Sequence, residues 1–255
     1  MPTVATEASF RALVPAAPPQ PLLPGRVERP AVVDVDVGIR VRIWDLPTRV
    51  FHWSLAASLV GLTATGYAGG AWMQTHGRIG SFMLALLLFR VVWGCVGGLW
   101  SRFTSFVPTP ATLKRYLRGQ ATPEQEAGHS PIGALSVLAM LGVLLAQVST
   151  GLVADDGGGF TGPLNELVSS AAGLTATVLH KQVGQWLLFG LVLLHVVAIA
   201  FYRIVRRRKL VQAMVDGDKV LQQRVQPARD DARSRALAAA ILCGCLVLVG
   251  LVTGF

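Results

Sequence analysis

The chain has 255 residues, of which 52% are hydrophobic and only 15% charged, and its mean hydropathy is +0.52. A soluble domain carries about 25% charged residues, so the composition argues for membrane helices with short loops and excludes a wholly disordered chain or a disulfide-framed secreted domain. The net charge of +9 must be mapped before it is read as nucleic-acid affinity, because membrane chains collect Lys and Arg on their cytoplasmic side.

Residues 1–38 hold a Pro-rich run at 15–25 and no sustained apolar period, as expected of a flexible extension. A basic stretch followed by an apolar one, the mark of a signal peptide, is missing. Beyond it, segments 50–77, 127–154, 182–202 and 236–255 carry no Asp, Glu, Lys or Arg, and 79–100 carries one charge, Arg90. Each can supply the roughly 20 apolar residues of a bilayer span. The predicted architecture is an all-α membrane protein: a four-helix transmembrane bundle within residues 39–220, then residues 221–255 as a linker and a fifth, C-terminal transmembrane helix. The clearest helix start is Ser130-Pro131, a capping residue followed by Pro at the first helical position.

Of the 23 Lys and Arg residues, six precede the first span, four lie in 102–118 and ten in 203–235. If the helices alternate, these all fall on one side. The other side has Arg78 and Lys181, with Asp155, Asp156 and Glu166. The positive-inside rule then puts the N-terminus in the cytoplasm and the 155–179 loop outside. The positive charge is mainly a topology signal, and a nucleic-acid partner is not expected.

Three cysteines, Cys95, Cys243 and Cys245, form no CxxC pair and no CxxCH motif, which argues against covalent haem and cysteine-held zinc. Four of the five histidines carry more information. His52 lies near the cytoplasmic start of the first span, His76 at the outer start of the second, and His180 and His195 at opposite ends of the fourth. Intramembrane ionisable residues are costly and are usually functional. His180 and His195 are about 22 Å apart along a helix and within about 60° of one face. The depths therefore pair His76 with His180 and His52 with His195. Two facing imidazole pairs at opposite depths suit two six-coordinate haems. Zinc would need three or four ligands close together, and the pairs are about 20 Å apart.

Arg90 lies about 21 Å deeper than His76 on a similar face, level with the inner pair. A haem propionate would partner it; snorkelling to the interface is the alternative. Gly66, Gly80 and Gly184 are spaced to leave room beside the outer pair, although small residues also serve ordinary helix packing. His129 precedes the third span and is expected to play no ligand role.

The stretches VRIWDLPTRVFHW (41–53), LLLFRVVWGCVG (86–97), GHSPIGALSVLAML (128–141), DDGGGFTGPLNELVSS (155–170), LHKQVGQWLLFGLVLLHVVAIAFY (179–202) and LVQAMVDGDK (210–219) resemble the bacterial cytochrome b561 family. That family includes the b-type cytochrome subunit of nickel–iron hydrogenases. The resemblance spans about 70% of the chain. It implies two non-covalent b haems with His52, His76, His180 and His195 as axial ligands to iron. It implies electron exchange with membrane quinone, ubiquinone or menaquinone, and with a redox partner such as a periplasmic c-type cytochrome. Lys181 stands where relatives often have Glu, which alters the charge beside the outer haem or the partner surface.

The expected function is transmembrane electron transfer in the bacterial inner membrane. The alternative is a membrane-anchoring cytochrome b subunit of a larger oxidoreductase such as a hydrogenase-like complex. Whether the chain is itself a quinone-linked oxidoreductase stays open. The quinone could bind on the inner side near His129, Arg90 and Arg49, or at the outer loop. That loop, with its acidic and flexible DDGGG start and a short helix over PLNELVSS, is the candidate docking surface.

Overall fold

The computed structural model describes residues 38–254; the rest of the Pro-rich extension expected over 1–38 lies outside them. Strand β1 (Ile39–Arg42) leads into helix α1 (Leu46–Ala68). Asp45 caps α1 by accepting the Thr48 N–H at 2.8 Å, and Pro47 occupies the first turn, where its lack of an N–H costs nothing. A single 3-10 turn separates α1 from α2 (Met73–Val96), so the two pack as antiparallel neighbours.

Three short helices follow: α3 (Phe103–Phe106), α4 (Pro110–Leu117) and α5 (Pro123–Ala127). The long α6 (Pro131–Leu152) comes next. Thr109, Thr122 and Ser130 each cap a helix whose first residue is Pro. The Ser130-Pro131 start expected from the sequence is thus one of three uses of the same device.

α7 (Ser170–Val178), a π-helical turn (Leu179–Gly184) and α8 (Gln185–Ile204) run together as one helical stretch of 35 residues. It begins well before the charge-free segment at 182, because Ser169 caps it within the preceding loop. PLNELVSS contributes only a 3-10 turn (Asn165–Leu167) and the start of α7. α9 (Leu210–Asp216), β2 (Asp218–Leu221) and α10 (Ala232–Thr253) complete the described chain.

Among the described residues, four helical stretches are long and apolar enough to cross a bilayer: Gly70–Val96, Pro131–Leu152, Ser170–Ile204 and Ala232–Thr253. Five were expected. The one left out is α1, which has 23 residues but whose apolar run is diluted by His52, Thr63, Thr65 and Tyr67. The C-terminal helix α10 is among the four.

α2 is the hub. One side of it, with Ala85, Leu86, Phe89 and Trp93, packs on Phe51 of α1 and on Ala238, Cys245 and Val249 of α10. The other, with Met83 and Leu87, packs on Leu144 and Val148 of α6 and Leu188 of α8. α10 therefore covers α2 away from α6 and α8, and the haem-candidate helices keep their own interface.

A clasp closes one end of the bundle. β1 pairs antiparallel with β2, Ile39 opposite Leu221 and Arg42 opposite Asp218. Beneath the sheet, Val41, Ile43, Trp44, Trp100, Ala127, Ala213 and Ala228 form a separate apolar cluster. Asp230 links the clasp to both flanking helices. It accepts from Arg42 Nη1 at 2.7 Å, from the Leu46 N–H at 3.1 Å and from Arg235 Nε at 2.9 Å.

Burial alone would raise the Asp230 pKa, but the hydrogen bonds from Arg235, Leu46 and Arg42 outweigh it and hold the carboxyl below the usual carboxylate range. Folding thus favours the ionised form. Its contribution is complete above the unfolded-state pKa of about 3.9 and is lost as pH falls through the lower folded-state value. Asp230→Asn is expected to cost about 2 kcal/mol at pH 7, seen as a lower Tm in detergent, and to flatten the fall of Tm below about pH 4 relative to wild type.

Candidate functional site

The structure brings the four predicted histidines into the two expected pairs. The His76 and His180 ring centroids are 6.2 Å apart with planes at 74°. Those of His52 and His195 are 6.5 Å apart at 50°. Two metal–nitrogen bonds of about 2 Å each, plus half of each ring, span about 6 Å, so the ring spacing of each pair matches two imidazoles on one metal atom. Among the described residues no group of three or more His, Cys, Asp or Glu side chains could hold a metal ion. A protein-held metal takes three or four ligands, whereas two imidazoles are enough for a metal that arrives within a prosthetic group.

The His76–His180 pair is held from behind in the same way on both sides. His76 Nδ1 lies 3.0 Å from Leu62 O and 3.3 Å from Thr65 Oγ1. His180 Nδ1 lies 2.9 Å from Gln147 O and 3.3 Å from Thr150 Oγ1. A carbonyl can only accept, so both Nδ1 atoms carry the proton and donate it. Each Nε2 then presents its lone pair, the form in which imidazole binds a metal. The Thr hydroxyls spend their own hydrogens on the preceding turn, on Gly61 O at 2.7 Å and on Gln147 O at 2.9 Å.

A glycine follows each threonine. A Cβ at Gly66 would come within 3.2 Å of the His76 ring, and one at Gly151 within 3.1 Å of the His180 ring. The carbonyl, Thr and Gly positions recur at the same spacing on α1 (62, 65, 66) and α6 (147, 150, 151). Of these six residues, the sequence alone points only to Gly66. The signal for the rest is the repeated Thr-Gly dipeptide, which acquires meaning only when each copy faces a histidine on another helix.

The π turn explains a second difference. Gly66 and Gly80 line the cavity beside this pair, as expected, but Gly184 does not. Instead it faces the Gln147 side chain, and a Cβ there would collide with it. A uniform α-helix would put Gly184 one turn from His180 on a similar face; the π turn Leu179–Gly184 changes that direction. Gln147 Nε2 donates to His180 O at 3.0 Å, a second hydrogen bond to a carbonyl that also takes the Gln185 N–H.

The cavity measures about 490 Å³ and is lined largely by apolar groups, including Leu62, Met83, Leu144 and Leu188. That falls within the usual range of cofactor sites. Ser81, whose buried Oγ has no hydrogen-bond partner, lines it. Lys181 lines its rim and is exposed.

The His52–His195 pair is less tethered. His52 Nδ1 is buried without a hydrogen-bond partner, and its ring meets Trp53 edge-on at 5.1 Å. Trp53 Nε1 donates to Met214 O at 3.1 Å, fixing this end against the clasp.

Arg90 is 4% exposed, so it does not snorkel. Its Nη1 donates to Ser101 O at 3.1 Å, and the guanidinium sits over the rings of Phe103 at 4.9 Å and Phe106 at 5.9 Å. Ser101 Oγ in turn donates to the fully buried Asp45 at 2.9 Å. His129 stands between Phe106 and Trp44, with ring centroids at 4.5 and 4.8 Å. Burial, then the charges of Arg90 and Lys219, push its pKa down to about 3, so the ring is neutral at physiological pH.

The loop before α7 is more ordered than its glycines suggested. Asp156 Oδ1 accepts from the Gly158 and Phe160 N–H groups at 2.7 and 3.0 Å, which lowers its pKa. Asn165 Nδ2 donates to Val153 O at 2.8 Å, and Thr177 Oγ1 to Asp155 O at 2.7 Å.

The family model for prokaryotic cytochrome b561 matches residues 43–217. The chain belongs to the prokaryotic cytochrome b561 family. Three similar proteins carry the name "Probable Ni/Fe-hydrogenase B-type cytochrome subunit". That of Azotobacter chroococcum mcd 1 is 27% identical over 69% of this chain and 87% of its own length. That of Azotobacter vinelandii is 26% identical with the same coverage, and that of Rhizobium leguminosarum bv. viciae is 23% identical over 72% and 90%. No solved structure matches the chain. The protein is thus a membrane b-type cytochrome of electron transfer, and its group is haem b. The matched residues include all four paired histidines and end before α10. The facing imidazoles and the apolar cavity fit a haem held without covalent attachment.

Gly151→Val and Gly66→Val each force side-chain atoms against a ligand ring. Each is expected to lower the Soret-to-280 nm absorbance ratio of purified protein, whereas Gly190→Ala, where a Cβ meets nothing, leaves it unchanged.

Proposed function

We propose that this cytochrome carries electrons across the bacterial inner membrane through two non-covalent b haems, one between His76 and His180 and one between His52 and His195. The observation that carries this reading is the pairing of four histidines from three helices into two facing sets, each at a ring spacing that matches two imidazoles on one iron. Haem, when bound, would supply one-electron chemistry, and the two imidazoles of each pair would hold it.

The protein's share is to hold that group. Leu62 O and Gln147 O fix the tautomers of His76 and His180, and Gly66 and Gly151 let both rings lie close against their helices. α1 acts as the fifth membrane-crossing helix, supported by its length and by its bonds to His76. Arg90 belongs to the haem-binding set as a buried cation at the His52–His195 end. The distribution of Lys and Arg supports a cytoplasmic N-terminus and clasp, with the 153–169 loop facing the periplasm. Membrane quinone, ubiquinone or menaquinone, is the small-molecule partner. A periplasmic c-type cytochrome or other redox protein docks at the loop.

The names of the relatives favour a second reading in which the chain anchors a larger oxidoreductase, as a hydrogenase-like cytochrome subunit. Co-purification from native membranes separates the two: a stoichiometric redox enzyme supports the subunit reading, and a chain that oxidises quinol alone supports the stand-alone one.

A pyridine haemochrome assay tests both at their root. Two b haems per wild-type chain are expected, falling to about one in His76→Ala and in His195→Ala. A well-folded wild-type protein without haem would refute the assignment.

A further inference from the structure

The two histidine pairs differ in what stands behind their rings. At the first, both Nδ1–H groups donate to a backbone carbonyl at 2.9–3.0 Å, each with a threonine hydroxyl as a second acceptor at 3.3 Å. At the second, His52 Nδ1 is buried with no partner. A hydrogen bond from the far nitrogen of a ligating imidazole pushes electron density onto the metal-binding nitrogen and makes it more basic. A more basic ligand stabilises ferric iron over ferrous iron and lowers the reduction potential, a lever the protein holds through hydrogen bonding beyond the ligands themselves.

We propose that Thr65 and Thr150, together with the carbonyls of Leu62 and Gln147, are positioning residues that hold the His76–His180 haem at a lower reduction potential than the His52–His195 haem. The inference rests on the di-haem reading above and adds an order of potentials to it. The opposing influence is Lys181, whose positive charge at the cavity rim favours the reduced state. Lys181 is exposed, and water and salt screen its charge. The four hydrogen bonds are partly buried and act directly on the ligand nitrogens, where screening is weaker, so they prevail.

The duplicated geometry makes the role specific. On α1 and on α6 the acceptor carbonyl, the threonine and the glycine fall at i, i+3 and i+4, and both sets address rings of one pair. A stabilising contact selected for packing alone would have no reason to recur on two helices with the same atoms aimed at the same ring nitrogen.

The test is a spectroelectrochemical titration of detergent-purified, full-length protein, followed at the haem α band. Wild type is expected to reduce in two resolved one-electron steps. His76→Ala should remove the lower-potential step and His195→Ala the higher. The double variant Thr65→Val/Thr150→Val should shift the lower step upward and leave the higher one in place, while Thr65→Ser/Thr150→Ser, which keeps both hydroxyls, restores the wild-type value. If either His variant fails to fold, the threonine pair still decides. Two haems with equal potentials, an inverted order, or a threonine variant that moves the other step would overturn this inference and leave the di-haem reading standing. Wild-type protein without haem would overturn both.

Discussion

Inside a bilayer a helix has no water to complete its hydrogen bonds, and its carbonyls are normally committed to the turn that follows. Leu62 O and Gln147 O do double service, each also taking the Nδ1–H of a histidine on another helix. That single interaction decides which ring nitrogen is free, how the ring is turned and how closely the helices approach. Gly66 and Gly151 follow from it, because a side chain at either position would press on the ring. The π turn at Leu179–Gly184 accompanies it, with the Gln147 side chain closing on His180 O.

The rest of the molecule supports that geometry from outside. α2 carries His76 and packs on both sides, against α1 and α10 on one and against α6 and α8 on the other. A helix buried to this degree resists rolling, which fixes the His76 end of the pair. The clasp holds the opposite end. Asp45 is fully buried and joins the start of α1 to Trp93 of α2 and to Ser101, and Asp230 joins the same region to α10. α10 lies beyond the family match yet contributes Ala238, Cys245 and Val249 to the α1–α2 core, so the extra helix reinforces the ligand-bearing pair.

The histidine pairing was legible because it depends on depth, and depth is linear in sequence for a helix: 1.5 Å per residue gives a level for each histidine once the spans are found. Direction around the helix was less legible. Gly184 was expected to face the cavity on the basis of a uniform 100° step, and the π turn sends it to Gln147. Arg90 was expected to need a propionate because no acid lies within a span. The tertiary structure shows its protein neighbours, Ser101 O, Phe103 and Phe106, with Asp45 one side chain further on, and Arg90 stays a proposed partner of the haem. α1 was counted with the other spans, yet His52, Thr63, Thr65 and Tyr67 leave it short of their apolarity.

The sequence by itself determined the class, the family and the four ligand candidates, since apolar runs, charge distribution and ligand spacing are properties of a linear chain. Only the tertiary structure decided which atoms stand behind each ligand. Thr65, Thr150, Gly151 and Gln147 are unremarked residues in apolar helices until their helices are laid against His76 and His180. The β1–β2 pairing joins residues 176 to 182 positions apart, and nothing local in either tetrapeptide announces its partner. Hydrogen bonds across helices and strands depend on relative rotation and register, and those are fixed only when the whole bundle packs.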